Sequence, residues 1–113
     1  MTPSYRYRAV LHRVVDGDTY ELTFDTGFHQ SITLPVRLRG WDCPERNTKA
    51  GQLARDAAAG LLANAPLIVE TFRTRAGGEV QSFARYVADV YFEDGRRVGE
   101  ALAQLGHAVS VAP

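Results

Sequence analysis

The chain has 113 residues, of which 45% are hydrophobic and 23% are charged, and its thirteen Lys and Arg balance thirteen Asp and Glu. This composition excludes a disordered chain and fits one compact domain over residues 1–113. Because there is no basic excess, a protein that coats nucleic acid through long-range charge is disfavoured, and any nucleic-acid contact is expected to be local.

The sequence also argues against several cellular settings. It holds no apolar run near the roughly 20 residues that span a bilayer, so no membrane partner is expected. Its first residues lack the apolar core of a secretory signal, so we expect an intracellular (cytoplasmic) or virus-encoded protein. Cys43 is the only cysteine, which excludes an internal disulfide and a zinc cluster. The oligomeric state stays open, with a monomer among the possibilities.

The first half of the chain has the pattern of a β-meander. Residues 5–15 are rich in Tyr, Val and Leu and predict a strand, and the Asp-Gly pair at 16–17 is a turn signal. Residues 19–24 alternate and predict the returning strand, residues 25–30 a loop, and residues 31–41 a third strand. Pro44 ends this run because it cannot donate a hydrogen bond to a sheet.

The second half mixes helices and strands. The Ala- and Leu-rich segment 52–64 predicts a helix. Strands are predicted at 67–74 and 83–92, turns at 76–78 and 93–95, and a helix at 97–105 that Gly106 would end. Residues 107–111 favour a last short strand. Five main strands with a helix after the third predict an α+β fold, a five-stranded OB-type β-barrel with about two flanking helices.

Charged residues occur at unusual places in this pattern. Arg37 and Arg39 interrupt an apolar strand, Arg85 begins another, and acidic residues stand at strand ends or turns, namely Asp16, Asp18, Asp42 and Glu45. Taken singly, each has an ordinary interpretation. An Asp-Gly-Asp run is typical of a hairpin turn, and it is not an EF-hand loop because Gly27 stands at the twelfth position. Lone arginines are typical of the outer face of a strand.

Taken together, these residues suit phosphodiester cleavage. Two arginines can stabilise the charge that develops on the phosphate oxygens in the transition state. Carboxylates can hold a hard cation, and a further carboxylate can orient or deprotonate the attacking water. We therefore expect a metal-dependent nuclease site.

The same residues carry a resemblance to the staphylococcal nuclease (thermonuclease, micrococcal nuclease) family. The matching segments follow one another in the family order and with similar spacing over roughly residues 8–111. They are residues 14–19 (VVDGDT), 37–45 (RLRGWDCPE), 83–88 (FARYVA) and 99–106 (GEALAQLG).

The resemblance implies an OB-fold barrel and a calcium-dependent endo- and exonuclease that acts on DNA and RNA, with single strands favoured, and leaves 3′-phosphate ends. Asp18 and Asp42 match the family's calcium carboxylates, and the backbone carbonyl of Cys43 matches a carbonyl ligand. Asp16 matches an aspartate that acts on the metal mainly through water. The catalytic residues implied are the arginines Arg37 and Arg85 and, as general base or water-orienting group, Glu45.

The sequence departs from the family in the region that binds the end of the substrate. Ser82-Phe83-Ala84 replaces a basic residue, a hydroxylated aromatic residue and a glycine, which puts affinity and end preference in doubt. The family usually has Thr where Cys43 stands. The loop at 45–51 is shorter than in the best-known member, and the family's terminal tyrosines have no counterpart after Val111. Phe83 and Tyr86 are the remaining candidates for contact with the substrate.

Two other functions stay open at this point. One is a catalytically weak or inactive OB-fold module that binds nucleic acid, and the other is a structural protein built on a plain barrel. Retention of Arg37, Arg85 and Glu45 favours the enzyme, because neither alternative requires all three.

Overall fold

The computed structural model describes residues 5–72, 81–82 and 85–112, with only the backbone described at 81, 82 and 85. Eight strands and two helices are assigned within these residues. They are β1 (Tyr5–Asp16), β2 (Thr19–Gly27), β3 (Gln30–Leu38), β4 (Trp41–Asp42), α1 (Lys49–Leu62), β5 (Leu67–Thr71), β6 (Gln81–Ser82), β7 (Arg85–Phe92), α2 (Val98–Gln104) and β8 (Val109–Ser110).

Five of the strands close into a barrel. Antiparallel pairing joins them in the order β3-β2-β1-β5-β7, and β3 then pairs in parallel with β7 through Val36↔Tyr86, Arg37↔Val87 and Leu38↔Ala88. This closure removes the free edges that an open sheet of five strands would expose. The predicted fold, a five-stranded OB-type barrel with two helices, is confirmed.

Alternation along the strands fills the barrel. In β2, Tyr20, Leu22 and Phe24 are buried while the residues between them are more exposed. Such a period of two places one face of a strand in the core. Helix α1 adds Ala54, Ala58 and Leu62, all fully buried at a spacing of four residues. Burial of these apolar side chains is the main stabilising term of the fold.

Helix α1 begins earlier than predicted, at Lys49. The Thr48 side chain caps it by accepting a hydrogen bond from the Gly51 N–H at 3.0 Å. A Cβ at Gly51 would overlap the main-chain carbonyl of Glu45, so the loop before the helix lies directly against its first turn. The Thr48 hydroxyl also donates to the Glu45 carbonyl at 2.7 Å. The backbone of Glu45 is therefore fixed by the helix.

The predicted third strand, 31–41, is divided in the structure. Strand β3 ends at Leu38, and the chain turns at Arg39 and Gly40, where Gly40 has φ +82°. This left-handed conformation favours glycine and ends the extended run. Trp41–Asp42 becomes a separate strand that pairs with β8, a pairing that the sequence pattern did not predict.

Other predicted boundaries shift by a few residues. The loop predicted at 25–30 is a tight turn at Phe28 and His29, both with positive φ, so β2 and β3 extend further toward each other. The strand predicted at 67–74 ends at Thr71, and the one predicted at 83–92 is assigned from Arg85. The turn predicted at 76–78 and Phe83 lie outside the described residues.

Candidate active site

The turn between β1 and β2 carries two of the predicted site residues, Asp16 and Asp18. Gly17 lies buried between them, and a Cβ at this position would come within 2.9 Å of the Ala54 Cβ and of the Cβ and Sγ of Cys43. Real Cβ atoms essentially never show such contacts, so only glycine fits. The aspartate turn therefore packs tightly against both helix α1 and the loop that follows β4.

Asp18 is held from several sides. It is 9% exposed, and its Oδ2 accepts a hydrogen bond from the Cys43 N–H at 3.1 Å. Its Oδ1 accepts from the Thr19 hydroxyl at 3.2 Å, and its main-chain carbonyl accepts from the Leu38 N–H at 2.9 Å. These bonds tie the start of β2 to the end of β3 and to the loop after β4.

Arg37 is held beside this carboxylate near the end of β3. Its Nη1 donates to the carbonyl oxygens of Leu38 at 2.9 Å and Trp41 at 3.1 Å. Its Nη2 forms a short hydrogen-bonded ion pair with Asp42 and lies 3.5 Å from Asp18 Oδ2. One side of the guanidinium is thus anchored on backbone, and the other side faces the two carboxylates.

One cavity of about 300 Å³ brings the predicted residues together. Its lining contains four carboxyl groups and one guanidinium, so its local charge is negative. The lining residues are Asp16, Asp18, Arg37, Asp42, Cys43, Pro44 and Glu45. All the predicted catalytic and metal-binding residues whose side chains are described lie in this lining, and the Arg85 side chain is outside the described part.

Two further cavities help to define the site. One of about 400 Å³ shares Asp16 and Glu45 with the site and adds Arg46 and Asn47, so the acidic site continues toward the loop before α1. A larger cavity, about 530 Å³, is lined by a mixture of apolar and polar residues, mostly from β1, β2, β3 and β5, and by none of the site residues. We assign the function to the acidic cavity because reactive groups converge there.

The carboxylates of the cavity offer oxygen donors of the kind that a hard cation binds. Within residues 5–72, 81–82 and 85–112, no three His, Cys, Asp or Glu side chains are grouped so that they could hold a metal ion. In the present arrangement Asp18 and Asp42 face Arg37 instead. However, carboxylate oxygens are the ligands that calcium prefers, and Asp16 Oδ1 is buried without a hydrogen-bond partner among the described residues. The residues therefore fit a hard cation in their chemistry.

Cys43 contributes more than a backbone carbonyl to this cavity. Burial raises the pKa of its thiol to about 12, and the negative charges of Asp18 and Asp42 add to the rise, with Arg37 opposing them. A thiol of this kind stays protonated at neutral pH and is a poor nucleophile. This agrees with the view that Cys43 does not attack the substrate.

The second predicted arginine lies on the neighbouring strand. Arg85 is the first residue of β7, and the next residue, Tyr86, pairs with Val36 beside Arg37. The backbone thus brings positions 37 and 85 to adjacent strands, while the Arg85 side chain is outside the description. Tyr86 lines a separate apolar cavity of about 200 Å³. The prediction for Phe83 falls on a residue outside the described part.

Arg39 is separated from the site. Its N–H donates to the Ala88 carbonyl at 2.8 Å, and its guanidinium lies 3.5 Å from Asp89 and 4.6 Å from the centre of the Phe72 ring. Burial raises the pKa of Asp89, and Arg39 opposes this rise. Arg39 therefore stabilises the barrel wall, although in sequence it looks like Arg37.

Sequence reasoning missed one buried hydroxyl at the site. Tyr20, whose side chain is fully buried, donates from its hydroxyl to the Gly17 carbonyl at 2.5 Å. The alternation of β2 predicts that Tyr20 faces inward. A period of two does not reveal that the hydroxyl reaches back to the turn.

The fold and the cavity together define a class of protein: a small OB-type barrel with an acidic, arginine-containing site at one end of its first three strands. A family model described as "Staphylococcal nuclease homologue" matches residues 35–112, more than two thirds of the chain. The chain belongs to this family of nucleases and nucleic-acid-binding domains. The comparison with curated proteins gave no match. No helix among the described residues is long and apolar enough to cross a membrane.

Proposed function

We propose that this chain is a calcium-dependent phosphodiesterase that hydrolyses DNA, RNA or both, favours single strands and leaves 3′-phosphate ends. The observation that carries the proposal is the convergence of Asp16, Asp18, Asp42 and Glu45 with Arg37 around one cavity. A barrel that served only as a scaffold would not need this costly grouping of like charges.

Each residue has a proposed role in the reaction. Asp18, Asp42 and the Cys43 carbonyl would hold the cation, with Asp16 acting through water. When bound, calcium would supply positive charge to the phosphate oxygens. Arg37, oriented by two backbone carbonyls, would donate to the same oxygens, joined by Arg85 from β7.

Glu45 would act on the attacking water. The Glu45 carbonyl accepts hydrogen bonds from Thr48, so the backbone from which its side chain extends is fixed. The side chain is exposed at the cavity, so its carboxylate has access to solvent. Glu45 would accept a proton from the water while the water oxygen attacks phosphorus and forms the new P–O bond, and the P–O5′ bond would break to leave a 3′-phosphate. The leaving 5′-oxygen takes up a proton from solvent.

The first test is cleavage of a labelled single-stranded DNA with calcium and with a chelator. Glu45→Gln should lower kcat by about 10²–10⁴-fold, because it removes the base and keeps the shape. The matched control is Glu93→Gln, an exposed residue of the turn after β7, which should leave kcat unchanged. Equal activity of Glu45→Gln and wild type would remove Glu45 from the mechanism.

A second candidate function is supported by the pairing of Arg37 with Asp18 and Asp42. This pairing neutralises two proposed cation ligands, as expected of a domain that binds nucleic acid without cleaving it. The same assay separates the two functions. Binding of the DNA without cleavage in calcium, magnesium or manganese would favour the binding module.

A further inference from the structure

Tyr20 connects the barrel interior to the aspartate turn. Its fully buried side chain is the first inward-facing residue of β2, and its hydroxyl donates to the Gly17 carbonyl. That carbonyl belongs to the peptide that joins Gly17 to Asp18. A hydrogen bond at this oxygen sets the plane of the peptide, and the plane sets the direction in which the Asp18 side chain leaves the backbone.

The turn depends on this support because the Asp16 side chain does not anchor it through a hydrogen bond from the described residues to its buried oxygen. Asp16 Oδ1 is buried without a partner among the described residues, although a carboxylate oxygen is a strong acceptor. Gly17 is pressed between Cys43 and Ala54 and has no space to shift toward them. The scaffold therefore holds the aspartates in place, and the hydroxyl of Tyr20 is the group that contacts the turn from the barrel side.

The hydroxyl is a permanent donor. A tyrosine hydroxyl has an ordinary pKa of about 10, so the proton stays on the oxygen at neutral pH. Removal of the hydroxyl would leave the Gly17 carbonyl buried without a donor. A buried unpaired carbonyl is unfavourable, and rotation of the peptide toward another donor would relieve it.

We infer that Tyr20 is a positioning residue of the proposed cation site: its hydroxyl holds the Gly17–Asp18 peptide so that Asp16 and Asp18 present their carboxylates to the cavity. The inference rests on the proposed function for the role of the cation. The positioning itself is a property of the turn and can be measured without one.

The competing explanation is that the Tyr20 ring only fills the end of the barrel. The variant Tyr20→Phe separates the two explanations, because it keeps the ring and deletes the hydroxyl. The matched control is Tyr91→Phe in β7, which also loses a hydroxyl, at a position that pairs with Ile68 of β5. A volume-filling role predicts that both variants keep the geometry of the turn.

The first measurement is hydrogen exchange of the Cys43 amide without added cation. This amide donates to Asp18 Oδ2, so its protection reports directly on the position of that carboxylate. We expect Tyr20→Phe to speed its exchange about tenfold relative to wild type, with unchanged exchange in the β1–β5 ladder. Tyr91→Phe should match wild type at Cys43.

The second measurement is calcium affinity, followed by the fluorescence of Trp41, which adjoins Asp42. Loss of a group that orients a metal ligand typically weakens binding about 10–100-fold. We expect an increase of this size in Kd for Tyr20→Phe and none for Tyr91→Phe.

The outcomes distinguish the inference from the proposed function. Faster Cys43 exchange in Tyr20→Phe supports positioning even if the wild type binds no calcium, in which case only the proposed cofactor is refuted. Wild-type exchange at Cys43 in Tyr20→Phe overturns the inference, whatever the calcium result. Faster exchange with an unchanged calcium Kd overturns the link between the turn and the cation.

Discussion

Arg37 and Arg39 stand two positions apart and have different surroundings. Arg37 meets two backbone carbonyls and two carboxylates at the cavity, whereas Arg39 stacks on Phe72 and pairs with Asp89. A strand arginine can thus contribute to the candidate active site, as Arg37 does, or to the packing of the barrel, as Arg39 does. The contacts of each nitrogen decide which, and these contacts come from residues distant in sequence.

Cys43 gives a prediction at the same scale. With the pKa of its thiol at about 12 in the folded protein, the thiolate is far scarcer at pH 8 than in the unfolded chain. We expect a thiol reagent to modify folded protein at least about a hundredfold more slowly than protein in urea. Equal rates in the two states would contradict the burial of this thiol.

The same group links stability to pH. Because the pKa of the Cys43 thiol rises from its ordinary value of 9.0 to about 12 on folding, the folded state keeps a proton that the unfolded state loses between these two pH values. The contribution of Cys43 to stability is therefore full below pH 9 and declines as pH rises toward 12. Serine does not titrate in this range. The free energy of unfolding of wild type should therefore fall relative to that of Cys43→Ser as the pH rises from about 9 toward 12.

At the scale of elements, α2 and β8 together hold β4 in place. Gly99 of α2 lies against the Trp41 ring, and a Cβ at this position would overlap it. Asp42 pairs with Val109 of β8, and the Gly40 carbonyl accepts from the Val111 N–H at 2.9 Å. The elements that hold the Asp42 backbone thus come from the last fifteen residues of the described chain.

Gly99→Ala should therefore destabilise the protein by about 1–3 kcal/mol, because the added methyl group overpacks the contact with Trp41. The matched control is Gly60→Ala in α1, where a Cβ meets nothing within 4 Å. It should stabilise the protein by about 0.5–1 kcal/mol, since alanine favours a helix over glycine. Urea unfolding measures both changes. A neutral Gly99→Ala with unaltered Trp41 emission would disprove the tight contact.

At the scale of the whole molecule, the charges balance, whereas the described site residues form an acidic cavity. Thirteen basic and thirteen acidic residues leave a formal net charge of zero. Attraction of nucleic acid over long distances is therefore expected to be weak, and under the proposed function recognition would depend on the few cationic side chains near the cavity. This agrees with an enzyme that grips one or two phosphates and not with a protein that coats a strand.

The salt dependence of binding tests this view. If Arg37 and Arg85 supply the main phosphate contacts, log K for a single-stranded oligonucleotide should fall with log salt with a slope of about −1.4. Fluorescence anisotropy with Glu45→Gln avoids cleavage. Arg37→Ala should make the slope shallower by about 0.7, while Arg6→Ala, at an exposed pair with Glu70, should not. A slope steeper than about −4 would indicate a broad basic surface instead.

The sequence by itself determined the parts of the molecule that depend on local order. Alternation in β2, the Asp-Gly turn at 16–18 and the Ala-rich segment of α1 are periodic or conformational signals within a few residues. The places of Asp16, Asp18, Arg37, Asp42 and Glu45 at strand ends and turns also predicted that they share a cavity, because strand ends and turns of a barrel meet at its mouth, and the part of Arg85 stays a prediction. The family match over residues 35–112 shows that the chain belongs to the staphylococcal nuclease homologues.

Only the tertiary structure decided what depends on contacts between distant segments. The parallel closure of β3 on β7 and the pairing of β4 with β8 join residues more than forty positions apart, and no local preference encodes them. The Tyr20 hydroxyl contacts Gly17, which is only three positions away, but the direction of the ring is set by the barrel that buries it. Local patterns specify elements, whereas packing specifies which side chains of those elements meet.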